Sequence, residues 1–179
     1  MGHNVRSYDP ATENDVDIVE GKLVVKDGGA IELQGGTVGD ILTGVTEVTF
    51  TEAGAGTYTG SVTVPAGSTV VDIIVNAVAQ WTAGTSALMD VGDTSDPNGF
   101  FAAVDLKSGL AAGDSISFSF AGGKAGAYLG ATTVKKRYYA TGGTISGVVV
   151  ASGTDGTAGR TRMIVLYAAP ATIVAATKS

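Results

Sequence analysis

His3 is the one histidine of the chain, and cysteine is absent. A Ser-His-Asp triad or a Cys-His pair needs an imidazole braced against its nucleophile by a third group, which a histidine in a polar leading stretch lacks. Zinc would need several His, Cys, Asp or Glu donors around that single imidazole. Asp90, Asp93, Asp96 and Asn98 gather oxygen donors of the kind calcium takes. An EF-hand, however, closes on a glutamate, and Gly99 here is followed by Phe100-Phe101-Ala102. The four are calcium candidates set against an ordinary turn whose side chains cap backbone amides. Gly54-Ala55-Gly56 and Gly122-Gly123-Lys124-Ala125-Gly126 lack the Lys-Ser/Thr ending of a Walker loop and the strand-to-helix setting of a dinucleotide loop, so both read as connections. Paired carboxylates for glycoside hydrolysis need only a spatial gap of about 5 to 9.5 Å, and sugar sites add exposed aromatics. One Trp, 6 Tyr and 5 Phe must also build the core, so Trp81 is expected buried or at an interface. No catalytic residue and no cofactor are assigned.

The balance of charge narrows the partners. A net charge of −6 opposes a grip on phosphate backbones, which takes clustered Lys and Arg. Lys135, Lys136 and Arg137, followed by Tyr138-Tyr139, form the one basic cluster, and in this acidic background they read as a solvated strand end or subunit contact, with no nucleic acid expected. No run approaches the roughly 18 apolar residues of a membrane helix, so no membrane partner is expected. The start, Met1-Gly2-His3-Asn4-Val5-Arg6, has no apolar signal core, and synthesis in a cytoplasm is expected.

Residues 1–20 carry Asp9, Glu13, Asp15, Asp17 and Glu20 with few large apolar groups, a composition that reads as an extended arm. Leu23-Val24-Val25-Lys26, Asp27-Gly28-Gly29 and Ala30-Ile31-Glu32-Leu33 spell a hairpin within 21–44, short enough to sit at an edge. From Val45 to Phe50 and from Tyr58 to Val64 apolar and polar residues alternate as in half-buried strands. Pro65-Ala66-Gly67 then turns the chain into the branched run Val70 to Val75. Trp81 and Ala87 to Val91, parted by Thr82-Ala83-Gly84-Thr85-Ser86, look like a hairpin. Asp93 to Gly99 is a loop with Phe100-Phe101 anchoring its far end, and Ala102 to Leu110 fits either a helical turn or a strand. Ser115 to Phe120 alternates strictly, placing Ile116, Phe118 and Phe120 on one face. Further strands are read at Thr132 to Ala140, Thr144 to Ala151 and Arg162 to Ala168, before a tail over 169–179. So many short strands without an amphipathic helix predict an all-β, jelly-roll-like antiparallel β-sandwich over 21–168, with an extended N-terminal arm.

Val64-Pro65-Ala66-Gly67-Ser68-Thr69-Val70-Val71-Asp72-Ile73, Trp81 to Leu88, Val91-Gly92-Asp93, Asn98-Gly99-Phe100-Phe101 and Ala112-Gly113-Asp114 resemble tailed-bacteriophage jelly-roll capsid decoration (cement) proteins and related minor virion proteins. The resemblance covers roughly Thr57 to Phe120. It implies a non-enzymatic virion structural protein, a homotrimer on the capsid surface that binds the major capsid protein and clamps the lattice. Asp9, Glu13, Asp15, Asp17, Lys135, Lys136 and Arg137 are the partner-binding candidates under that reading. A tail, collar or head-fibre subunit is the alternative within the same class, and a carbohydrate-binding sandwich the alternative outside it.

Overall fold

The computed structural model describes residues 16–19, 22–25, 43–130 and 137–168. His3, Asp9, Glu13, Asp15, Lys135, Lys136, the Asp27-Gly28-Gly29 turn and the 169–179 tail lie outside them. The chain divides into two units, Met1–Gly39 and Asp40–Ser179.

In the first unit β1 (Val16–Val19) and β2 (Lys22–Val25) pair antiparallel, with Val16 opposite Val25 and Val19 opposite Lys22. β1 thus falls within the stretch read as an arm. Leu23 to Val25 do form a strand, but its partner here lies upstream; residues 30–33 are outside the described set. Only Glu20 and Gly21 separate the two strands, the length of the tightest hairpin connections.

The second unit holds β3 (Thr43–Thr51), β4 (Gly56–Val64), β5 (Ser68–Ala79), β6 (Ser86–Asp93), β7 (Phe101–Asp105), β8 (Ser115–Ile116), β9 (Tyr138–Tyr139), β10 (Gly143–Ser152) and β11 (Arg160–Ala168), with no helix among the described residues. Pairing is nested from the outside inward: β3 with β11, β4 with β10, β5 with both β8 and β9, and β6 with β7. The chain is therefore one long antiparallel ribbon. Bending it brings β10 against β6 and β11 against β5, giving sheets ordered β4-β10-β6-β7 and β3-β11-β5-β8, with β9 also on β5. That arrangement is the jelly roll.

Alternation puts every second side chain inside. On β10, Ile145, Val149 and Ala151 are buried, and on β11 Met163 and Val165 answer from the other sheet. Gly147 sits opposite Gly60 on the inner face of its sheet. A Cβ at Gly60 would lie 3.0 Å from Phe50 Cζ, and one at Gly147 would lie 2.8 Å from the same atom. The two glycines thus make a pit that seats the Phe50 ring from the opposite sheet.

Two sequence expectations change. The segment after Trp81 is no hairpin, because β5 and β6 belong to different sheets. Residues 80–85 cross the sandwich edge, burying Trp81 and Ala83 on the way. The Ser115 to Phe120 strand stops after Ile116: the Phe118 N–H donates to the Asp72 carboxylate at 2.8 Å, and Ser117 and Phe120 close a turn on each other. Ile116 and Phe118 still face the core, whereas Phe120 is 68% exposed. Of Thr132 to Ala140, Tyr138–Tyr139 form a strand and 131–136 are outside the described residues. The undecided Ala102 to Leu110 becomes β7 followed by a turn, in which the Asp105 carboxylate accepts from the Lys107 and Ser108 amides at 2.9 Å each.

Candidate interaction surfaces

Strand directions sort the loops to two ends. One end carries 52–55, 80–85, 106–114 and 153–159; the other carries 65–67, 94–100 and 140–142. Thr43 and Ala168 are register partners at this second end, so the chain enters and leaves the sandwich side by side.

A buried carboxylate organises each end. Glu52, just past β3, is 2% exposed. It accepts from the amides of Thr82 (2.9 Å), Ala83 (2.7 Å), Ala158 (3.2 Å) and Gly159 (2.9 Å), and from the Thr82 hydroxyl at 2.8 Å. Burial by itself would raise the pKa of this carboxyl, but the donors together outweigh it and hold the group below its usual value. Lys107 completes the clasp, its ammonium donating to the carbonyls of Ala83 and Gly84 at 2.6 Å each. Trp81 Nε1 donates to Thr161 Oγ1 at 2.9 Å and meets Tyr58 edge-on. Trp81 is only 2% exposed, so it offers no sugar platform.

At the other end Asp93, 5% exposed, accepts from the Ser95 and Asp96 amides at 2.8 and 3.1 Å, from the Tyr128 hydroxyl at 2.9 Å and from the Tyr139 hydroxyl at 3.1 Å. Burial, followed by the charge of Asp93 and the hydrogen bond to it, pushes the Tyr139 hydroxyl well above the usual tyrosine range. Beside it lies a polar cleft of about 250 Å³ lined by Asp93, Thr94, Ser95 and residues 138–144. Of the other calcium candidates, Asp90 accepts from the Ala103 amide at 2.7 Å and Asp96 from the Asn98 amide at 3.4 Å. Among the described residues no three His, Cys, Asp or Glu side chains lie together as a metal site. Glu52 and Asp93 stand at opposite ends and make no catalytic pair.

The two outer faces differ. On β3-β11-β5, Val45, Leu166 and Asp72 share a row, then Glu47, Ile164 and Ile74, then Thr49, Arg162 and Asn76. Val45 is 63% and Val71 48% exposed there, and Glu47 pairs with Arg162. The face of β4-β10-β6 mixes hydroxyls with apolar groups, in rows Ser61-Ser146-Gly92, Thr59-Val148-Asp90 and Thr57-Val150-Leu88, the last with Val150 48% and Leu88 40% exposed. Of the partner-binding candidates, Asp17 lies in β1, and Arg137 packs its guanidinium 4.4 Å from the centre of the Phe118 ring. Glu52 and Lys107 escaped sequence reasoning, because the donors and acceptors they meet lie up to 107 residues away along the chain. A lone acid at the end of an alternating strand was the only local signal.

No protein-family model matches the chain, and no curated protein sequence matches it. Solved structures do. A chain of the cyanophage Pam1 capsid asymmetric unit matches at 19% identity and a TM-score of 0.52, over 82% of this chain and 98% of that one. The chain shares its fold with components of phage capsids. A chain of the acid-stable capsid of Helicobacter pylori bacteriophage KHP30 matches at 18% identity and a TM-score of 0.50, over 73% of this chain and 90% of that one. A chain of the Ralstonia phage GP4 capsid is 22% identical over 75% of this chain and 87% of that one, with a TM-score of 0.46.

Proposed function

We propose that this chain is a non-enzymatic virion structural protein that decorates the outer surface of a tailed-phage head, binding the major capsid protein and stabilising the lattice. The observation that carries this reading is the shared jelly roll, which spans 98% and 90% of the Pam1 and KHP30 capsid chains. Residues 1–20, with Asp9, Glu13, Asp15 and Asp17, form the attachment arm, the part before β1 ordering against a neighbour by backbone hydrogen bonds. The sandwich sits as a trimer, and Lys135, Lys136 and Arg137 contribute to subunit contact. Thr43 and Ala168, the first and last residues of the described sandwich, are register partners at one end, which supports this division.

The test is co-sedimentation of the purified full chain with undecorated capsids. Saturable binding that raises the melting temperature of the capsid, and that is lost when residues 1–20 are deleted, is the expected result. A full chain that stays in the supernatant while the capsids pellet refutes attachment, and a deletion that binds as well as the full chain refutes the role of the arm.

A further inference from the structure

Asn98 is the only asparagine of the chain that precedes a glycine, and it is exposed in the 94–100 loop at one end of the sandwich. That pairing carries a chemistry of its own. The backbone nitrogen of the following residue can attack the asparagine Cγ, and a glycine, having no side chain, puts nothing in the way. The fold admits no other residue at 99. Gly99 does not take a positive φ, so its conformation alone does not call for glycine. A Cβ there, however, would lie 2.5 Å from Tyr128 Cε2 and 2.6 Å from Cδ2, on a ring that Phe100 meets edge-on. Close packing of Tyr128 thus places the least hindered amide directly after Asn98.

The closed loop holds that amide away from Asn98. The Gly99 N–H donates to the Asp96 carbonyl at 3.1 Å, closing the turn Asp96-Pro97-Asn98-Gly99, and the Gly99 carbonyl accepts from the Tyr128 amide at 2.7 Å. Proline in second place and Asn98 without a positive φ make this a type I turn, whose third residue has a ψ of about 0°. To close a five-membered ring the Gly99 nitrogen must swing to the Cβ side of Asn98, roughly a third of a rotation about Cα–C, which breaks its bond to Asp96. Asp93 keeps the turn in place. Its carboxylate accepts from the Asp96 amide at 3.1 Å and the Tyr128 hydroxyl at 2.9 Å, and its own amide donates to the same Asp96 carbonyl at 2.9 Å.

We infer that Asn98 is a site of covalent modification by deamidation, gated by opening of the Asp93 end. On opening, the Gly99 nitrogen gives its proton to solvent and attacks Asn98 Cγ; the Cγ–Nδ2 bond breaks, ammonia leaves with a proton from solvent, and a succinimide spans residues 98 and 99. Water then adds to one of the two ring carbonyls. Release of Cγ gives aspartate on the original backbone, while release of the main-chain carbonyl leaves the chain running through Cβ and Cγ as isoaspartate. Nothing is oxidised or reduced. The isoaspartyl chain is longer by one methylene and no longer fits the four-residue turn from Asp96 to Gly99, so opening of this end becomes one-way. The modification is independent of capsid attachment, and it puts a further negative charge in a loop that already holds Asp93 and Asp96.

The full chain is incubated in mildly alkaline buffer, native and in concentrated urea, and the peptide containing Asn98 is followed by mass and by chromatography against aspartyl and isoaspartyl standards. In urea Asn98 should convert well ahead of Asn76, which precedes Ala77. In the native chain conversion should be at least about tenfold slower, because attack waits on a locally opened fraction. Tyr128→Phe keeps the ring against Gly99, removes the hydroxyl donor to Asp93, and should raise the native rate about threefold or more. After removal of urea, the isoaspartyl chain should melt below Asn98→Asp, which carries the same charge on an unaltered backbone. Absence of conversion in urea would overturn the site, and native conversion as fast as in urea would overturn the gate. A Tyr128→Phe rate equal to wild type would overturn the part given to Asp93, and an isoaspartyl chain that melts with Asn98→Asp would overturn the one-way step.

Discussion

Replacing Glu52 by Gln keeps the shape of the side chain and removes its charge. The Glu52 oxygens divide the donors unevenly: Oε1 takes the Ala83 amide at 2.7 Å, while Oε2 takes Thr82 Oγ1, Ala158 N and Gly159 N and is the nearer to Thr82 N. The best orientation of a glutamine leaves its oxygen at the Oε2 position and turns its NH2 onto the Ala83 N–H. One buried donor is then unpaired and the remaining bonds lose their charge assistance, for a cost of about 2 to 3 kcal/mol. Glu52→Ala abandons both buried amides, Ala83 and Gly159, at about 1 to 3 kcal/mol each, so a loss of about 3 to 4 kcal/mol is expected once water enters from the exposed loop side. Urea denaturation at pH 7 reads these differences, and at roughly 2 to 4 °C per kcal/mol the melting temperature should follow. Acid supplies an independent check. The folded pKa of Glu52 is lowered, so its contribution is complete above its ordinary value of 4.5 and is lost as pH falls through the folded value. The gap between wild type and Glu52→Gln should therefore narrow on acidification below that value. Stability of Glu52→Gln within about 0.5 kcal/mol of wild type at pH 7, or two acid profiles that fall in parallel, would refute the assignment.

Three further outcomes can be measured on the same material. Gly147→Ala places a methyl 2.7 Å from Met89 Cε and 2.8 Å from Phe50 Cζ and should cost about 1 to 3 kcal/mol; adding Phe50→Leu should recover part of that loss, and strict additivity would refute the glycine pit. Tyr139→Phe removes the bond to Asp93 and should cost about 1 kcal/mol at pH 7. Because the folded pKa of Tyr139 is raised, wild type should lose stability as pH climbs past the ordinary value of 10.0, and the Phe variant should lose less. Trp81, the sole tryptophan, should emit at short wavelength in the native state and shift to the red on unfolding, while Thr161→Val, which removes its indole acceptor, should cost about 1 kcal/mol.

The strands that alternate or carry branched residues were legible in the sequence because both signals are local: Val45 to Phe50, Tyr58 to Val64, Val70 to Val75, Thr144 to Ala151 and Arg162 to Ala168 all fall inside observed strands. The turn at Pro65-Ala66-Gly67 was legible for the same reason, and Gly67 takes a φ of +76° there. Sheet membership was not. Whether the chain after Trp81 folds back on β5 or crosses to the other sheet depends on Glu52 and Lys107, which grip residues 82–84 from distant parts of the chain. The Ser115 to Phe120 alternation misled because the Asp72 carboxylate competes for the backbone that a strand would have used. In the Asp90 to Asn98 segment the residue types did signal a loop rich in oxygen donors. The amides and hydroxyls that satisfy them, two from Tyr128 and Tyr139, could not be seen from spacing alone.

A chain without cysteine has to close its loops by other means, and the two buried carboxylates are how this one does it. Glu52 joins the end of β3 to residues 82–83 and 158–159, and Asp93 joins β6 to Tyr128 and Tyr139, so each spans segments that a disulfide would otherwise tie. Such a tie differs from a covalent one in depending on ionisation. Asp105, whose own carboxyl is held below its usual range as its donors in the 107–109 turn outweigh burial, adds a second acid-sensitive point at the Glu52 end. Acid should therefore loosen the Glu52 end ahead of the central β10 and β11 ladders, which pair backbone to backbone with strands on both sides. Hydrogen exchange at decreasing pH, corrected for the intrinsic rate, should show protection lost at Ala83 and Gly159 while Val149 and Val165 remain protected. Simultaneous loss at all four amides would mean that the ends and the sheets unfold as one unit and that the carboxylates hold the whole sandwich rather than its loops.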